Sequence, residues 1–497
     1  MCADNSRMSY PQGSPEQSAS ALTLSCLEST ISFKDEDGHL HISSCPLVDG
    51  IAEPPHEPPR YGGVTAIEDA TASLAGPTSS PPDTDVDFPE GGLEAWLVVL
   101  GSFCAITAVF GLSNTAAVFE SYLAENQLSD CTPFQIGWVF SLNLFLVFFV
   151  GIQVGPVFDR YGPRALVMGG SMLSCLSLFL FSLSTNYDQI ILTYSVMGGL
   201  GGALLNTPSY GCIAHFFNRR RGLATGIATT SGGIGGVVFP LLLQYLLPRL
   251  GFSWSVRVLA LILVALAVPA NLFIKARLSP PVRCGSGTGR FASVWPDFRI
   301  FRDARFALAS VGIIFMECGL FVPLTYIVSY AAAHGQDATA SCLLLSYLNA
   351  GSVLGRVLPG HLADKLGRFN VIIGTISLCA VSVLALWVPA GDSRPLLLAY
   401  AVVFGFASGS NLGLIPVCLG QLCDPREYGR VLSTAMMVAS IGTLGSVPIG
   451  GALLQTGPAE TGWTALMVFS GLCYGVALLC YASARVLAVG WHPRTKF

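Results

Sequence analysis

The sequence predicts an all-α membrane protein with 12 transmembrane helices in two six-helix bundles. Three observations carry that expectation. First, 52% of the 497 residues are hydrophobic and only 11% are charged, with a mean hydropathy of +0.60; soluble domains carry about 25% charged residues. Second, twelve apolar runs follow one another, each long enough to span about 30 Å of hydrocarbon. Third, a charged motif recurs. Gly155-Pro156-Val157-Phe158-Asp159-Arg160-Tyr161-Gly162-Pro163-Arg164 separates the second and third runs, and Gly360-His361-Leu362-Ala363-Asp364-Lys365-Leu366-Gly367-Arg368 separates the eighth and ninth. Both read G-x-x-x-D-[RK]-x-G. Their aspartates stand about 205 residues apart, which is too long for a solenoid repeat and fits a parallel duplication of a six-helix bundle.

Taken in order, residues 1–88 form a polar tail rich in Ser, Pro and Thr, with Arg7, Lys34 and Arg60 as its only Lys or Arg. Such a segment cannot bury enough apolar surface to fold alone, and it has no apolar stretch behind a basic start to act as a cleavable signal. It reads as a disordered cytosolic tail, with regulation through modification as the sharper alternative. The apolar runs lie near 96–119, 134–154, 165–185, 190–215, 223–247 and 254–274, then 306–330, 341–361, 369–389, 396–419, 431–455 and 463–485. The expected division is therefore a first bundle over 89–274, a cytosolic central loop over 275–305, a second bundle over 306–486 and a short cytosolic tail over 487–497.

Orientation follows from the loops. One set of connections holds Arg160, Arg164, Arg219, Arg220, Arg221, the central-loop basic residues, Lys365, Arg368, Arg426 and Arg430; the opposite set has only Arg249 and Arg394. The positive-inside rule puts the first set, and both termini, in the cytosol. The net charge of −4 gives no footprint for nucleic acid. The fifteen cysteines are scattered, mostly within apolar runs, and read as small packing residues rather than a disulfide or metal scaffold.

The repeated motif suits a tight turn between membrane helices. Its glycines permit close helix approach, its basic residues hold the turn on one side, and its Asp can pair with a neighbouring Arg or cap the next helix. The motif pair resembles the signature loops of the major facilitator superfamily. Two further stretches narrow the likeness. Phe88-Pro89-Glu90-Gly91-Gly92-Leu93-Glu94-Ala95-Trp96 leads into the first run and reads as a flexible acidic turn ending in an interfacial Trp anchor. His215-Phe216-Phe217-Asn218-Arg219-Arg220-Arg221-Gly222-Leu223-Ala224-Thr225-Gly226 leads into the fifth; its three arginines pin a cytosolic turn, and its small residues let the fifth helix pack closely on a neighbour. Together they resemble the monocarboxylate-transporter family, and Asn349-Ala350-Gly351-Ser352-Val353-Leu354-Gly355-Arg356 resembles its fungal branch. The likeness covers roughly residues 88–490. It implies the major facilitator fold, with a central cavity and alternating access.

Charges inside the membrane are costly and commonly functional. At about 1.5 Å per residue from the cytosolic surface, Arg356 lies roughly 12 Å deep and Glu317 roughly 18 Å deep. Arg356 reads as a two-pronged clamp for an anionic substrate or as a structural ion pair; the resemblance favours the clamp, because the family's arginine at this place contacts the substrate carboxylate. Glu317 reads equally as a proton-coupling site, as a partner for Arg356, or as a residue facing a polar crevice. Two departures from the animal members stand out. Ser352 occupies a position where they carry Asp, and Asn114 one where they carry Lys. That weakens a simple lactate–proton symport and favours a larger or neutral compound. Asn349, Asn114, Asn206, Tyr210, Tyr326 and Asn411 are the candidate lining residues, each with ordinary helix packing as the alternative; Tyr330 is a further one.

No enzyme motif or folded soluble domain appears, and no cofactor or metal is expected. The leading expectation is a secondary transporter of a small organic anion, a monocarboxylate in the first instance, with the proton as candidate coupling ion. Efflux of a fungal secondary metabolite, or uptake of a vitamin-like compound, is the second expectation. A non-transporting nutrient sensor signalling through its tail is the third. The partners expected are a small molecule, protons and the lipid bilayer, with the plasma membrane favoured over the vacuolar membrane.

Overall fold

The computed structural model describes residues 87–278, 296–455, 458–491 and 495–497. The predicted N-terminal tail and the middle of the central loop lie outside these residues. Among the described residues every regular element is helical. The helices are α1 (Leu93–Glu125), α2 (Pro133–Phe149 continued by Gly151–Tyr161), α3 (Arg164–Phe181) and α4 (Tyr187–Phe216). A continuous 53-residue stretch, Arg221–Phe273, leaves helical geometry at Gly251, where φ is 71° and ψ 175°. A straight helix of that length would run about 80 Å, more than twice the hydrocarbon thickness. The break therefore divides it into α5 (221–250) and α6 (252–273). The second half holds α7 (Ala304–Ala333), α8 (Ala338–Leu366), α9 (Arg368–Trp387), α10 (Arg394–Leu419), α11 (Tyr428–Leu454) and α12 (Ala459–Val489).

Local signals account for the helix ends. Thr132 and Gln135 form a reciprocal capping box with Pro133 at the first position of α2. The Asp303 side chain accepts from the Arg305 backbone N–H (2.9 Å) at the start of α7. Polar side chains then bind helices to one another, as expected where lipid supplies no hydrophobic drive between them. Asn143 Nδ2 donates to Tyr194 O (2.9 Å), joining α2 to α4. Ser102 Oγ donates to Ser209 O (2.9 Å), joining α1 to α4. Asn271 Nδ2 donates to Ser171 Oγ (3.0 Å), bringing α6 back onto α3. In the second half Ser470 Oγ donates to Gly319 O (2.8 Å), joining α12 to α7.

The repeated motif differs from its expected form. It is mostly helix rather than loop: α2 runs through to Tyr161 and α8 to Leu366, so both aspartates ride on a last helical turn. Each glycine then has a separate job. Gly162 (φ 79°) and Gly367 (φ 102°) close the helices in a conformation that costs other residues strain. Gly155 and Gly360 permit close approach. A Cβ on Gly155 would lie 2.1 Å from Ser433 Oγ and 2.3 Å from Gly429 O, and one on Gly360 would lie 2.5 Å from Gly222 O. Both contacts join the first half to the second, α2 to α11 and α8 to α5.

Candidate functional site

The end of the molecule that carries both motifs, here called the basic face, is held shut by paired contacts between the halves. Asp159, at the end of α2, accepts from the backbone N–H groups of Gly429 (2.9 Å) and Arg430 (2.8 Å) at the start of α11. Asp364, at the end of α8, accepts from those of Gly222 (2.8 Å) and Leu223 (2.9 Å) at the start of α5. Each carboxylate thus satisfies two N–H groups that a helix leaves unpaired at its N-terminus, and it sits at the positive end of that helix dipole. The motif Asp does cap a helix, as the sequence allowed, but a helix of the opposite half rather than the next one in the chain.

Two further arginines tighten this face. Arg368 Nη2 donates to the carbonyl of Asn218. Arg221, 2% exposed, donates to Phe217 O (3.0 Å), to Ala214 O (3.3 Å) and across the halves to Gly420 O (2.8 Å). Of the three arginines expected to pin the turn together, Arg219 and Arg220 are exposed and Arg221 is not. Arg221 is buried because three helix-end carbonyls converge on its guanidinium. Arg164 and Lys365 are exposed, and Arg160 stacks its guanidinium 5.2 Å from the Tyr161 ring.

Deeper in the molecule α5 packs on α8 through a stripe of small residues. A Cβ on Gly226 would lie 2.3 Å from Arg356 O; one on Gly233 would lie 2.7 Å from Val353 Cγ2 and 3.5 Å from Asn349 O. Arg356 is half-buried on this seam. Its Nη1 donates to the Thr229 carbonyl of α5, and its Nε is buried with no partner. Asn349 lies two turns away on the same seam.

Asn114 stands where α1 is interrupted, just beyond a π-helical turn at Thr107–Gly111. That turn lies against α5, since a Cβ on Gly111 would lie 3.3 Å from the Gly235 Cα and 2.9 Å from Phe239. Asn114 Nδ2 reaches Gly232 O (3.2 Å), next to the Arg356 guanidinium. Tyr210 on α4 lies within electrostatic reach of both Arg356 and Glu317. Asn206 precedes it by one helical turn on the same face, with its Oδ1 buried and unpaired. Five predicted residues from three helices, Arg356 and Asn349 of α8, Asn114 of α1, and Tyr210 and Asn206 of α4, thus gather around one region.

Glu317 is 3% exposed and makes no hydrogen bond or ion pair among the described residues. Tyr474 and Tyr481 of α12 lie within its electrostatic reach, as Tyr210 does. The Glu317–Arg356 pair entertained from the sequence does not form, because Arg356 turns to the α5 backbone instead. Ser352 packs on α10, where a Cβ on Gly409 would lie 2.6 Å from its Oγ. That contact leaves little room for a longer acidic side chain.

Three candidates lie elsewhere. Asn411 is 2% exposed and occupied inside the second half, accepting from Thr375 Oγ1 (2.7 Å) and donating to Cys379 Sγ (3.3 Å). Tyr326 donates its hydroxyl to Val447 O (2.8 Å) of α11. Tyr330 is likewise core, edge-on to Trp387 and Trp463. A helical wheel cannot separate a bundle's own core from its cavity wall when both are polar, which is why these residues looked alike in sequence.

The stretches before α1 and before α5 prove to be one unit. The Glu90 carboxylate accepts from the N–H groups of Asn218 (2.9 Å), Arg219 (2.6 Å) and Arg220 (3.1 Å). Trp96, read as an interfacial anchor, packs its ring 5.3 Å from that of Phe217. No signal in the sequence joined residues 128 to 130 positions apart.

With this geometry in hand, the comparisons with known proteins are consistent. The Major Facilitator Superfamily description fits residues 99–446 and 360–496. The chain is 35% identical over 400 residues to the Fujikurins efflux protein of Gibberella fujikuroi, covering 80% of this chain and 84% of that protein. It is 34% identical over 438 residues to the riboflavin transporter MCH5 of Saccharomyces cerevisiae, covering 83% and 84%. A solved structure of the transporter FucP in its outward conformation superposes with a TM-score of 0.61 at 20% identity, over 78% of this chain and 98% of that one. The chain belongs to the Major Facilitator Superfamily and is an integral, multi-pass secondary transporter.

Proposed function

We propose that this transporter carries an organic anion, with Arg356 as the partner of the anionic group and alternating access as the mechanism. The observation that carries the reading is Arg356 itself. It is a guanidinium inside the helical bundle with no carboxylate partner, a buried unpaired Nε and only a backbone carbonyl on Nη1. A bidentate anion is the ligand that such a fork fits best. Tyr210, Asn206, Asn114 and Asn349 would supply neutral hydrogen bonds around it. Glu317, buried without a partner, is the candidate proton carrier. The basic face is proposed as the cytosolic one on the positive-inside rule, with the plasma membrane as the favoured address.

The cargo is proposed to be larger than lactate. Ser352 and Asn114 stand where a short monocarboxylate site would carry charge, and relatives include a protein named for efflux of fujikurins and another named for riboflavin. Efflux of an acidic secondary metabolite is therefore the second reading, and kinship with the monocarboxylate-transporter family remains part of the proposal. The test is ligand-induced thermal stabilisation of the purified protein against a panel of carboxylic acids and their methyl esters. An acid that stabilises the wild type but not Arg356→Lys, with its ester silent, supports the reading. Equal stabilisation by acid and ester removes the anion from it.

A further inference from the structure

Glu90 stands before α1, yet its carboxylate closes the α4–α5 turn with three backbone hydrogen bonds of 2.6–3.1 Å. The Glu90 backbone N–H adds a fourth contact, to Phe216 O at 3.2 Å. Glu90 holds φ at 51°, the only positive φ of a non-glycine residue among those described. That conformation is unfavourable for a long side chain and persists where surrounding contacts enforce it. The turn that Glu90 holds is also the element on which the halves meet. Asn218 O receives Arg368, Gly222 and Leu223 N–H reach Asp364, and Arg221 reaches Gly420.

Glu90 and Asp364 thus cap consecutive stretches of one backbone, residues 218–220 and 222–223, from opposite halves. The corresponding turn before α11 needs no such help. There Asp424 accepts from the Arg426 N–H (2.8 Å) within the turn itself, and Asp159 caps the next two residues but two. The first half has no local acid in this turn, where the sequence reads Phe217-Asn218-Arg219-Arg220. Without a carboxylate, three adjacent N–H groups beside three arginines would be left to solvent.

We propose that Glu90 is a positioning residue of the transport cycle: it holds residues 218–220 in the register at which Asp364, Arg221 and Arg368 can join the halves, so that losing it opens the basic face. The proposal rests on the transporter reading but not on any cargo. Because Asp159 and Asp364 fasten one interface from two seams, loosening one should loosen the other.

Amide hydrogen exchange on the full chain in nanodiscs tests this, comparing wild type, Glu90→Gln, Glu90→Ala and the control Glu94→Gln. Glu90→Gln is nearly isosteric and decides the matter should Glu90→Ala not fold. The expected result is exchange several-fold faster at residues 218–220, at 222–223 and at 429–430 in both Glu90 variants, with Glu94→Gln unchanged. Faster exchange confined to 218–220 would overturn the proposal, since a merely local cap would do that and no more. No substrate enters the measurement, so an error about the cargo would leave this result standing.

Discussion

Asp159 accepts a 2.9 Å hydrogen bond from the backbone N–H of Gly429, 270 residues further along the chain. Asp364 repeats the relationship with Gly222 at 2.8 Å, in the opposite sense between the halves. Each half lends an aspartate to the other half's helix, so the closed basic face is fastened twice by the same chemistry. An alternating-access cycle has to break both fastenings to open this face and remake them to close it.

Asp159→Asn keeps the shape and one good acceptor but loses the charge. Hydrogen bonds to charged groups contribute about 1.5–3 kcal/mol, against about 1 kcal/mol for neutral ones. The expected outcome is an initial transport rate reduced roughly three- to tenfold, with tenfold equal to about 1.4 kcal/mol, at an unchanged level in the membrane. Asp364→Asn should act in the same direction. Immunoblots of isolated membranes paired with initial rates check both, and normal rates in the two variants would reduce the motif to a topological signal.

The glycine contacts predict a contrast in stability. A Cβ on Gly226 would lie 2.3 Å from the backbone oxygen of Arg356, whereas nothing lies within 4 Å of one on Gly137 or Gly374. Overpacking costs about 1–3 kcal/mol, and a backbone neighbour cannot swing aside as a side chain can. Gly226→Ala should lower the thermal midpoint by several degrees or prevent surface expression, while Gly137→Ala and Gly374→Ala leave both intact. Equal behaviour of the three would contradict the close α5–α8 seam.

Much of this was legible in the sequence. Composition and run length define a multi-pass helical protein, and the repeated motif marks the duplication and the face on which it lies. The use of each motif residue was not legible. Asp159 finds its partner in backbone N–H groups, and no side-chain pattern at Gly429 or Arg430 announces them. The clasp of Glu90 on residues 218–220 is hidden for the same reason. Within the bundle, Asn206 and Asn411 look equivalent as polar residues of proline-containing helices, yet one keeps an unpaired oxygen near Tyr210 and the other is fully occupied by α9.

That difference is itself testable. Asn411→Ala removes a buried hydrogen bond from α9 to α10 and leaves a cavity, while the Thr375 hydroxyl keeps the Ile372 carbonyl at 3.0 Å; the lost bond, about 0.5–1.5 kcal/mol net, and the lost packing should together lower the thermal midpoint. Asn206→Ala removes an oxygen already without a partner and should leave stability within about 1 kcal/mol while changing substrate preference. Thermal melts of the two purified variants, with transport of a substrate series, check the pair. A larger stability loss at Asn206 would reverse the assignment.

Arg356 and Glu317 form no ion pair, so their substitutions should not compensate. Breaking a buried pair by removing one partner costs about 3–5 kcal/mol and is relieved when both leave. Here Glu317→Gln combined with Arg356→Gln should show the sum of the two single effects on stability, within about 0.5 kcal/mol. A double variant more stable than that sum by well over the margin would indicate a pair in another state of the cycle.

The central claim is that an anion sits on Arg356. Counterflow in proteoliposomes tests it most directly, with a carboxylic acid identified by thermal stabilisation, its methyl ester, and wild-type, Arg356→Lys and Arg356→Gln proteins. The account predicts exchange of the acid and not of the ester by the wild type, strong loss in Arg356→Lys because the planar fork is gone, and complete loss in Arg356→Gln. Exchange of acid and ester at equal rates, or undiminished exchange of the acid by Arg356→Gln at matched protein in the vesicles, would contradict it.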